Sequence, residues 1–133
     1  MAAEFIYRRR VQFAETDLAG IVHFSWYFRY MEEAEHAMWR SLGLDIAPLD
    51  GRLGYPRVSA SCDFKGSLRF EDEFEVHVRV EAVGRRSLQY SFTLRRGDDV
   101  LGVGAMTSVC VEKVPGAPMR SVELPETVTA RLG

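Results

Sequence analysis

The sequence predicts an α+β fold in which one long helix packs on an antiparallel sheet of about five strands. Three observations predict it: a strand-like run at 4–13, a helical apolar stripe from Ser25 to Leu42, and four strand-like runs within 57–112. A helix with one apolar stripe and strands with one apolar face bury these surfaces against each other. A helix lying on a sheet is therefore the expected architecture.

The helix is predicted from apolar residues that recur at three- and four-residue intervals. Ser25 is expected to cap its N-terminus, because a hydroxyl can accept a free N–H of the first turn. Gly43 is expected to end it, because glycine adopts the left-handed conformation at low cost. Glu32, Glu33 and Glu35 are assigned to the solvated face. The apolar stripe consists of Tyr27, Tyr30, Met31, Ala34, Met38 and Leu42, and Trp26 and Trp39 are expected in the core or at an interface.

The first strand is predicted at 4–13, where β-branched and aromatic residues are frequent. Its arginines, Arg8 to Arg10, are interpreted as edge-strand charges that discourage association between sheets. The later strands are predicted at 57–66, 72–83, 87–96 and 100–112, with hairpin connections at 84–86 and 96–99. The tail from Val114 contains three prolines and is predicted to be an irregular wrap or a short terminal turn.

Length and composition predict one domain, residues 1–133, of a cytoplasmic protein. A net charge of -2 and a pI near 5.9 argue against nucleic acid as the main partner. No apolar run is long enough to span a membrane, and the start, MAAEFIYRRR, lacks the apolar core of a signal peptide. Cys62 and Cys110 lack metal-ligand spacing and are predicted to be buried, reduced thiols.

A carboxylate, Asp17, precedes the predicted helix by a tight turn in which Gly20 permits close backbone approach. The first N–H groups of a helix are free donors at the positive end of its dipole. A carbonyl oxygen bound there would be stabilised as it becomes an oxyanion, and a nearby carboxylate could attack that carbonyl or deprotonate a water. An acid that caps a turn or pairs with an arginine fits the same spacing, so both roles stay open.

The stretch from Asp17 to Tyr27, DLAGIVHFSWY, resembles the N-terminal signature of the hotdog-fold 4-hydroxybenzoyl-CoA thioesterase family. The signature is an acid, a small residue or proline, Ala or Gly, Gly, two aliphatic residues, two bulky residues, two variable positions and Tyr. Further matches follow at Pro56-x-Val58-Ser59, at Phe64 and at Arg85-Arg86-Ser87. The resemblance spans nearly the whole chain and implies a hotdog fold with one helix and about five strands.

By position, the resemblance implies that Asp17 is the catalytic carboxylate and that the backbone N–H of Phe24 polarises the thioester carbonyl. It also implies a homodimer or homotetramer with its active site at a subunit boundary, where second-strand residues approach from the partner. The substrate-binding residues implied in this way are Gly20, Tyr27, Val58 and Ser59.

Three further sites have both a functional and a structural interpretation. Arg85 and Arg86 could bind coenzyme A phosphates or form a solvated hairpin tip. His23 could orient water or line the acyl pocket, or only fill space at the helix entrance. Glu15 shares a side with Asp17 in an extended chain, but a paired-carboxylate site there is expected to be coincidental. His36 and His77 lack metal-ligand spacing.

The resulting hypothesis is an acyl-CoA thioesterase acting on an aryl or a short- or medium-chain acyl group. The reaction needs no metal or organic cofactor, and coenzyme A enters as part of the substrate. A covalent route through Asp17 and a general-base route both fit. Two alternatives stay open: a hotdog hydratase or dehydratase, for which His23 is the one histidine in the motif, and a non-catalytic acyl-CoA-binding module.

Overall fold

The structure, a computed structural model, describes residues 2–133. A five-stranded antiparallel sheet, with strand order β1-β4-β5-β6-β3, carries the long helix α1 on one face, and a three-stranded sheet has the order β2-β7-β8. In chain order the elements are β1 (Glu4–Arg10), α1 (Ser25–Ser41), β2 (Leu53–Gly54), β3 (Arg57–Phe64), β4 (Glu73–Val83), β5 (Ser87–Arg96), β6 (Asp99–Val109), β7 (Val111–Glu112), β8 (Arg120–Ser121) and α2 (Glu126–Leu132). The predicted α+β class and both predicted hairpins are confirmed. No helix within residues 2–133 combines the length and hydropathy needed to cross a bilayer.

The core lies between α1 and one face of the large sheet. Alternate residues of the strands point into it, as the period of two requires, and the helical stripe covers them. Buried core residues include Tyr27, Tyr30, Met31, Ala34, Met38 and Trp39 of α1, Phe74, Val76, Val78 and Val80 of β4, and Leu88, Tyr90, Phe92 and Leu94 of β5. Trp26 is half-buried. The indole N–H of Trp39 donates to the Tyr90 hydroxyl at 3.1 Å, which satisfies the one polar group of that buried side chain.

Helix α1 ends as predicted but begins differently. Gly43 has φ +72°, its N–H donates to the Arg40 carbonyl, and the Leu44 N–H donates to the Trp39 carbonyl, which together form a Schellman motif. At the other end Phe24, not Ser25, is the N-cap residue, and its own side chain makes no capping hydrogen bond. The prediction for Ser25 is wrong because its hydroxyl contacts His23 Nδ1 at 2.8 Å instead of the backbone.

Three segments differ from prediction by more than two residues. The first strand ends at Arg10, and a short 3-10 helix follows at Phe13–Glu15. The last predicted strand divides, because the chain crosses after β6 into the small sheet. The tail forms the second helix, α2, as well as an irregular wrap. This helix was not predicted because only two of its residues, Val128 and Leu132, are buried, and two positions do not establish a helical period.

A buried ion pair fastens the edge strand β3 to α1. The Glu35 carboxylate is 1% exposed and accepts two 2.7 Å hydrogen bonds from the Arg57 guanidinium, which also donates to Ser108 Oγ. The prediction that Glu35 is solvated is therefore wrong. Helical spacing identifies the outward face only on average, and it cannot show that an arginine 22 residues away will neutralise the charge.

The two cysteines differ in exposure. Cys110 is buried as predicted, whereas Cys62 on β3 is only half-buried, and both are free thiols. Burial raises the pKa of each, that of Cys62 to about 11. Both thiols are therefore protonated at neutral pH and poor nucleophiles.

Close approach of α1 to the sheet depends on Gly104 in β6. A Cβ built on Gly104 would lie 2.8 Å from Met31 Sδ and 2.9 Å from the Ser61 carbonyl oxygen. The missing side chain thus leaves space that the helix fills, which agrees with the close approach that a glycine in a strand suggests.

We expect Gly104→Ala to lower the free energy of unfolding by about 1–3 kcal/mol, because the core must move to admit the methyl group. Urea unfolding at fixed protein concentration measures the change. Ala105→Ser, at an exposed position of the same strand, is the control and should change stability by less than about 0.5 kcal/mol. Equal midpoints for Gly104→Ala and the native chain would contradict this account of the packing.

Candidate active site

Asp17 lies at the tip of a small hairpin that leads into α1. The hairpin is closed by hydrogen bonds from the His23 N–H to the Glu15 carbonyl and from the Asp17 N–H to the Ile21 carbonyl, both 2.9 Å. The Gly20 N–H returns to the Asp17 carbonyl at 2.9 Å, and Gly20 has φ +78°. Glycine suits this position because other residues adopt positive φ at a cost, so the sequence DLAG builds a tight turn directly before the helix.

The Asp17 carboxylate is exposed and has one oxygen engaged. Its Oδ1 accepts the Ala19 N–H at 2.8 Å, which fixes the side chain in an Asx turn. Within residues 2–133 no hydrogen bond reaches Oδ2. The carboxylate is thus oriented by its own loop, while its second oxygen has no hydrogen-bond partner among the described residues.

The start of α1 presents a free backbone donor beside this hairpin. Phe24 is the N-cap residue, and the Phe24 N–H donates to no acceptor within residues 2–133. The helix dipole makes such an N–H a favourable place for a developing negative charge. The structure thus joins the carboxylate and the helix start, the two groups of the sequence hypothesis, through one short hairpin.

His23 is exposed at the entrance of the helix. Its Nδ1 contacts Ser25 Oγ at 2.8 Å and accepts the Ser25 N–H at 3.3 Å, and its ring lies 4.6 Å from the Phe24 ring. With Nδ1 as acceptor the neutral ring carries its proton on Nε2. His23 therefore accepts one N–H of the first turn, and its Nε2 makes no hydrogen bond within residues 2–133.

An aromatic cluster borders the helix start. Phe64, the last residue of β3, contacts Tyr27, Phe24 and Phe28 edge-to-face, at centroid distances of 5.1, 6.1 and 6.4 Å. Phe24 and Phe64 are 59% and 48% exposed, whereas Tyr27 is buried and donates its hydroxyl to the Gly66 carbonyl. The exposed Phe24 and Phe64 rings form an apolar surface at the helix start. The strand pattern gave no indication that Phe64 would be so exposed.

Beneath the hairpin, Glu15 is buried and hydrogen-bonded rather than paired with Asp17. Its carboxylate accepts hydrogen bonds from Arg9 Nη1 at 3.0 Å and Nη2 at 2.6 Å, from the Tyr30 hydroxyl at 2.6 Å and from the Gln12 N–H at 3.0 Å. Burial alone would raise the pKa of Glu15, but these hydrogen bonds outweigh it and lower that pKa below its usual 4.5. Glu15 is therefore ionised at neutral pH.

Arg9 and Glu33 complete this network. Arg9 Nε donates to Glu33 Oε1 at 2.9 Å, and the same oxygen accepts the Tyr7 hydroxyl at 2.8 Å. The predictions of Arg9 as an exposed edge charge and Glu33 as a solvated helix charge are wrong, because each neutralises the other inside the β1–α1 contact. Neither partner can be identified from local sequence, since 24 residues separate them.

Four predicted site residues lie at the end of the large sheet opposite to Asp17: Val58, Ser59, Arg85 and Arg86. The hairpin that carries Asp17 lies against the segment leading into β4, because the Val22 N–H donates to the Leu68 carbonyl at 2.8 Å. Arg85 and Arg86 follow the end of β4, and its 11 residues span roughly 35 Å at about 3.3 Å per residue. Val58 and Ser59 lie at the start of β3, about 20 Å from its end at Phe64 by the same rise per residue. Within one chain these groups are not brought together.

Arg85 and Arg86 are exposed on the β4–β5 turn, as predicted. Arg85 donates to Glu123 at 2.6 Å and Arg86 to Ser121 Oγ at 3.3 Å. Hydrogen bonding to Arg85 lowers the pKa of Glu123. Such exposed pairs contribute little to stability, so a phosphate could displace the carboxylate. In residues 2–133, no three His, Cys, Asp or Glu side chains are grouped as a metal site requires.

Comparison with known proteins identifies the family. The model of the thioesterase superfamily matches residues 19–103. A hypothetical protein of Aquifex aeolicus has a crystal structure that is 36% identical, covers 97% of this chain and 99% of that chain, and gives a TM-score of 0.89. The structure of a gentisyl-coenzyme A thioesterase is 28% identical, with coverages of 94% and 99% and a TM-score of 0.84. A 1,4-dihydroxy-2-naphthoyl-CoA hydrolase of Synechococcus elongatus is 24% identical over 113 residues, 83% of each chain.

These similarities confirm the resemblance that the DLAGIVHFSWY stretch indicated. The matched segment comprises 85 of the 133 residues and runs from the hairpin through α1 to β6. The chain therefore belongs to the thioesterase superfamily and is a thioester hydrolase.

Proposed function

We propose that this chain hydrolyses aryl-CoA thioesters, with Asp17 as the acting carboxylate and the Phe24 N–H as oxyanion donor. The observation that carries the proposal is the hairpin at 15–23. It carries the oriented Asp17 carboxylate, one oxygen of which has no hydrogen bond within residues 2–133, and it leads directly to the free Phe24 N–H at the start of α1. Substrate-binding roles follow for Gly20, which lets the backbone approach the thioester, and for Tyr27, which supports the aromatic surface.

The chemistry follows from this arrangement. An oxygen nucleophile adds to the thioester carbon, and the negative charge that develops on the carbonyl oxygen is stabilised at the helix start. The C–S bond then breaks, coenzyme A leaves as a thiolate and takes a proton, and the acid is released. Asp17 supplies the nucleophile by deprotonating water or by attacking first to form an anhydride that water hydrolyses. Neither route uses a metal or an organic cofactor.

The aromatic surface at Phe24 and Phe64 favours an aryl acyl group over a short or medium aliphatic chain. Aromatic rings pack edge-to-face or offset with a gain beyond the buried area alone. Two of the similar proteins are named for aromatic acyl groups, gentisyl and 1,4-dihydroxy-2-naphthoyl. The acyl group would lie against this surface with its carbonyl at the helix start.

The complete site is proposed to form between two copies of the chain. β3 is the last strand in the sheet order, with exposed residues at Val58 and Ser59 and a half-exposed Phe64. If two β3 edges pair antiparallel, the start of one strand lies beside the end of the other. Val58, Ser59, Arg85 and Arg86 of the second copy then come to the end that carries Asp17 in the first. A dimer, alone or within a tetramer, thus supplies the coenzyme A contacts that one chain lacks.

Asp17→Asn and Asp17→Ala should lower kcat by at least about a hundredfold, because an amide or a methyl group neither deprotonates water nor attacks the thioester. Release of free coenzyme A thiol from benzoyl-, 4-hydroxybenzoyl-, 1,4-dihydroxy-2-naphthoyl- and hexanoyl-CoA measures the loss. Asp98→Asn, another exposed aspartate on a turn, is the matched control and should retain native rates. Undiminished hydrolysis by both Asp17 variants would refute the assignment.

A mixed dimer tests whether the arginines act across the subunit boundary. Arg85→Ala with Arg86→Ala should raise KM about tenfold or more, since charge-assisted contacts to phosphate are lost. The hybrid dimer combines one chain that carries both arginine substitutions with one chain that carries Asp17→Asn. If the site is composite, one of its two sites has Asp17 from the first chain and both arginines from the second, and is therefore intact. We expect that hybrid, isolated with two affinity tags, to show native KM and about half of the native kcat per dimer.

A site formed within a single chain predicts a different result for the hybrid. If each arginine pair bound the substrate that is hydrolysed by Asp17 of the same chain, the hybrid would have no intact site. It would then keep the raised KM of the double variant. That outcome would exclude the composite site while leaving the role of Asp17 untouched.

A further inference from the structure

Glu15 is the one buried residue of the segment 12–21, in which Asp17 and the three residues after it are exposed. The side chain is 2% exposed and accepts the four hydrogen bonds from Arg9, Tyr30 and the Gln12 backbone described above. Arg9 belongs to β1 and Tyr30 to α1. One carboxylate therefore connects the hairpin to the sheet and to the long helix.

The backbone of Glu15 makes the second connection. Its carbonyl accepts the His23 N–H at 2.9 Å, and His23 directly precedes Phe24. Asp17 lies two residues beyond Glu15 on the same arm of the hairpin, where only main-chain bonds and the Asx turn hold it. Glu15 thus anchors both arms of the hairpin, the one that carries the Asp17 carboxylate and the one that leads to the Phe24 N–H.

We infer that Glu15 is a positioning residue that sets the distance and angle between the Asp17 carboxylate and the Phe24 N–H. The inference rests on the proposed function, since it concerns the geometry of those two groups. Glu15 does not touch the substrate: its oxygens are enclosed by Arg9, Tyr30 and Gln12. Its effect on the reaction is transmitted through the hairpin.

An amide at this position would disturb the anchor without changing its size. Glu15→Gln keeps one oxygen for Tyr30 and Gln12, but its NH₂ group would face the Nη2 donor of Arg9 and lose the charge-assisted pair. The inner end of the hairpin would then shift. A displacement of about 1 Å of a reacting group can cost on the order of a hundredfold in rate, whereas substrate contacts remote from the hairpin would be unchanged.

Glu35 offers a matched control elsewhere on α1. It is 1% exposed and pairs with Arg57 through two 2.7 Å hydrogen bonds, so its burial and pairing resemble those of Glu15. Within one chain its partner lies at the start of β3, at the opposite end of the strands from the hairpin. Glu35→Gln therefore weakens a comparable buried pair without contacting the segment that carries Asp17.

The test compares Glu15→Gln, Glu35→Gln and Tyr30→Phe in thermal unfolding and in steady-state hydrolysis of the best substrate among benzoyl-, 4-hydroxybenzoyl- and 1,4-dihydroxy-2-naphthoyl-CoA. We expect Glu15→Gln to lower kcat about ten- to hundredfold with KM within about twofold of native. Glu35→Gln should lower Tm by a similar amount while keeping kcat within about threefold. Because Arg57 adjoins Val58, an effect of this control on catalysis should fall on KM. Tyr30→Phe removes one hydroxyl from the same carboxylate and should lower kcat by a smaller factor, which keeps the test valid if Glu15→Gln fails to fold.

The inference is overturned if Glu15→Gln or, where that variant does not fold, Tyr30→Phe retains native kcat. It is also overturned if Glu35→Gln loses as much kcat as Glu15→Gln, or if the change falls on KM alone. Asp17→Asn is measured in parallel. If that variant stays active, the proposed function fails, whereas an inactive Asp17→Asn beside a fully active Glu15→Gln removes only the positioning role.

Discussion

The packing of α1 against the large sheet is the constraint on which the other features depend. It buries the apolar stripe of the helix on β4, β5 and β6, and Gly104 leaves space that Met31 occupies. Apolar burial of this kind supplies most of the stability of a domain. Because the helix packs along the sheet, its N-terminus lies at a fixed end of the sheet, next to the hairpin and to Phe64.

Two buried charge networks decide how the ends of this helix–sheet unit are held. Arg57 and Glu35 fasten the start of β3 to α1, whereas Arg9, Glu15 and Glu33 fasten the end of β1 to α1 and to the hairpin. All five N–H groups of Arg9 donate hydrogen bonds. Buried charges cost free energy unless fully paired, and full pairing also restricts the geometry to one arrangement. In a thioesterase this restriction falls next to the proposed reacting groups.

The proposed reacting groups and the proposed coenzyme A contacts are separated along the strands of one chain. Asp17, Gly20, His23, Phe24 and Tyr27 lie at one end of the sheet, whereas Val58, Ser59, Arg85 and Arg86 lie at the other. An acyl-CoA is long enough to need both kinds of contact, an enclosed one for the thioester and a charged, exposed one for the phosphates. The proposed pairing of two chains along β3 would supply both, because a two-fold axis reverses the strand direction.

Local sequence was sufficient to predict the α+β class, the span of α1, its end at Gly43, both hairpins and the turn at Asp17. These features follow from periodicity and from residues with special backbone preferences, which act over a few positions. The buried roles of Glu15, Glu33, Glu35 and Arg9 could not be predicted, nor could the separation of the two groups of site residues. Whether a charge is buried or solvated depends on partners far away in sequence, and those are brought together only when the strands and the helix pack.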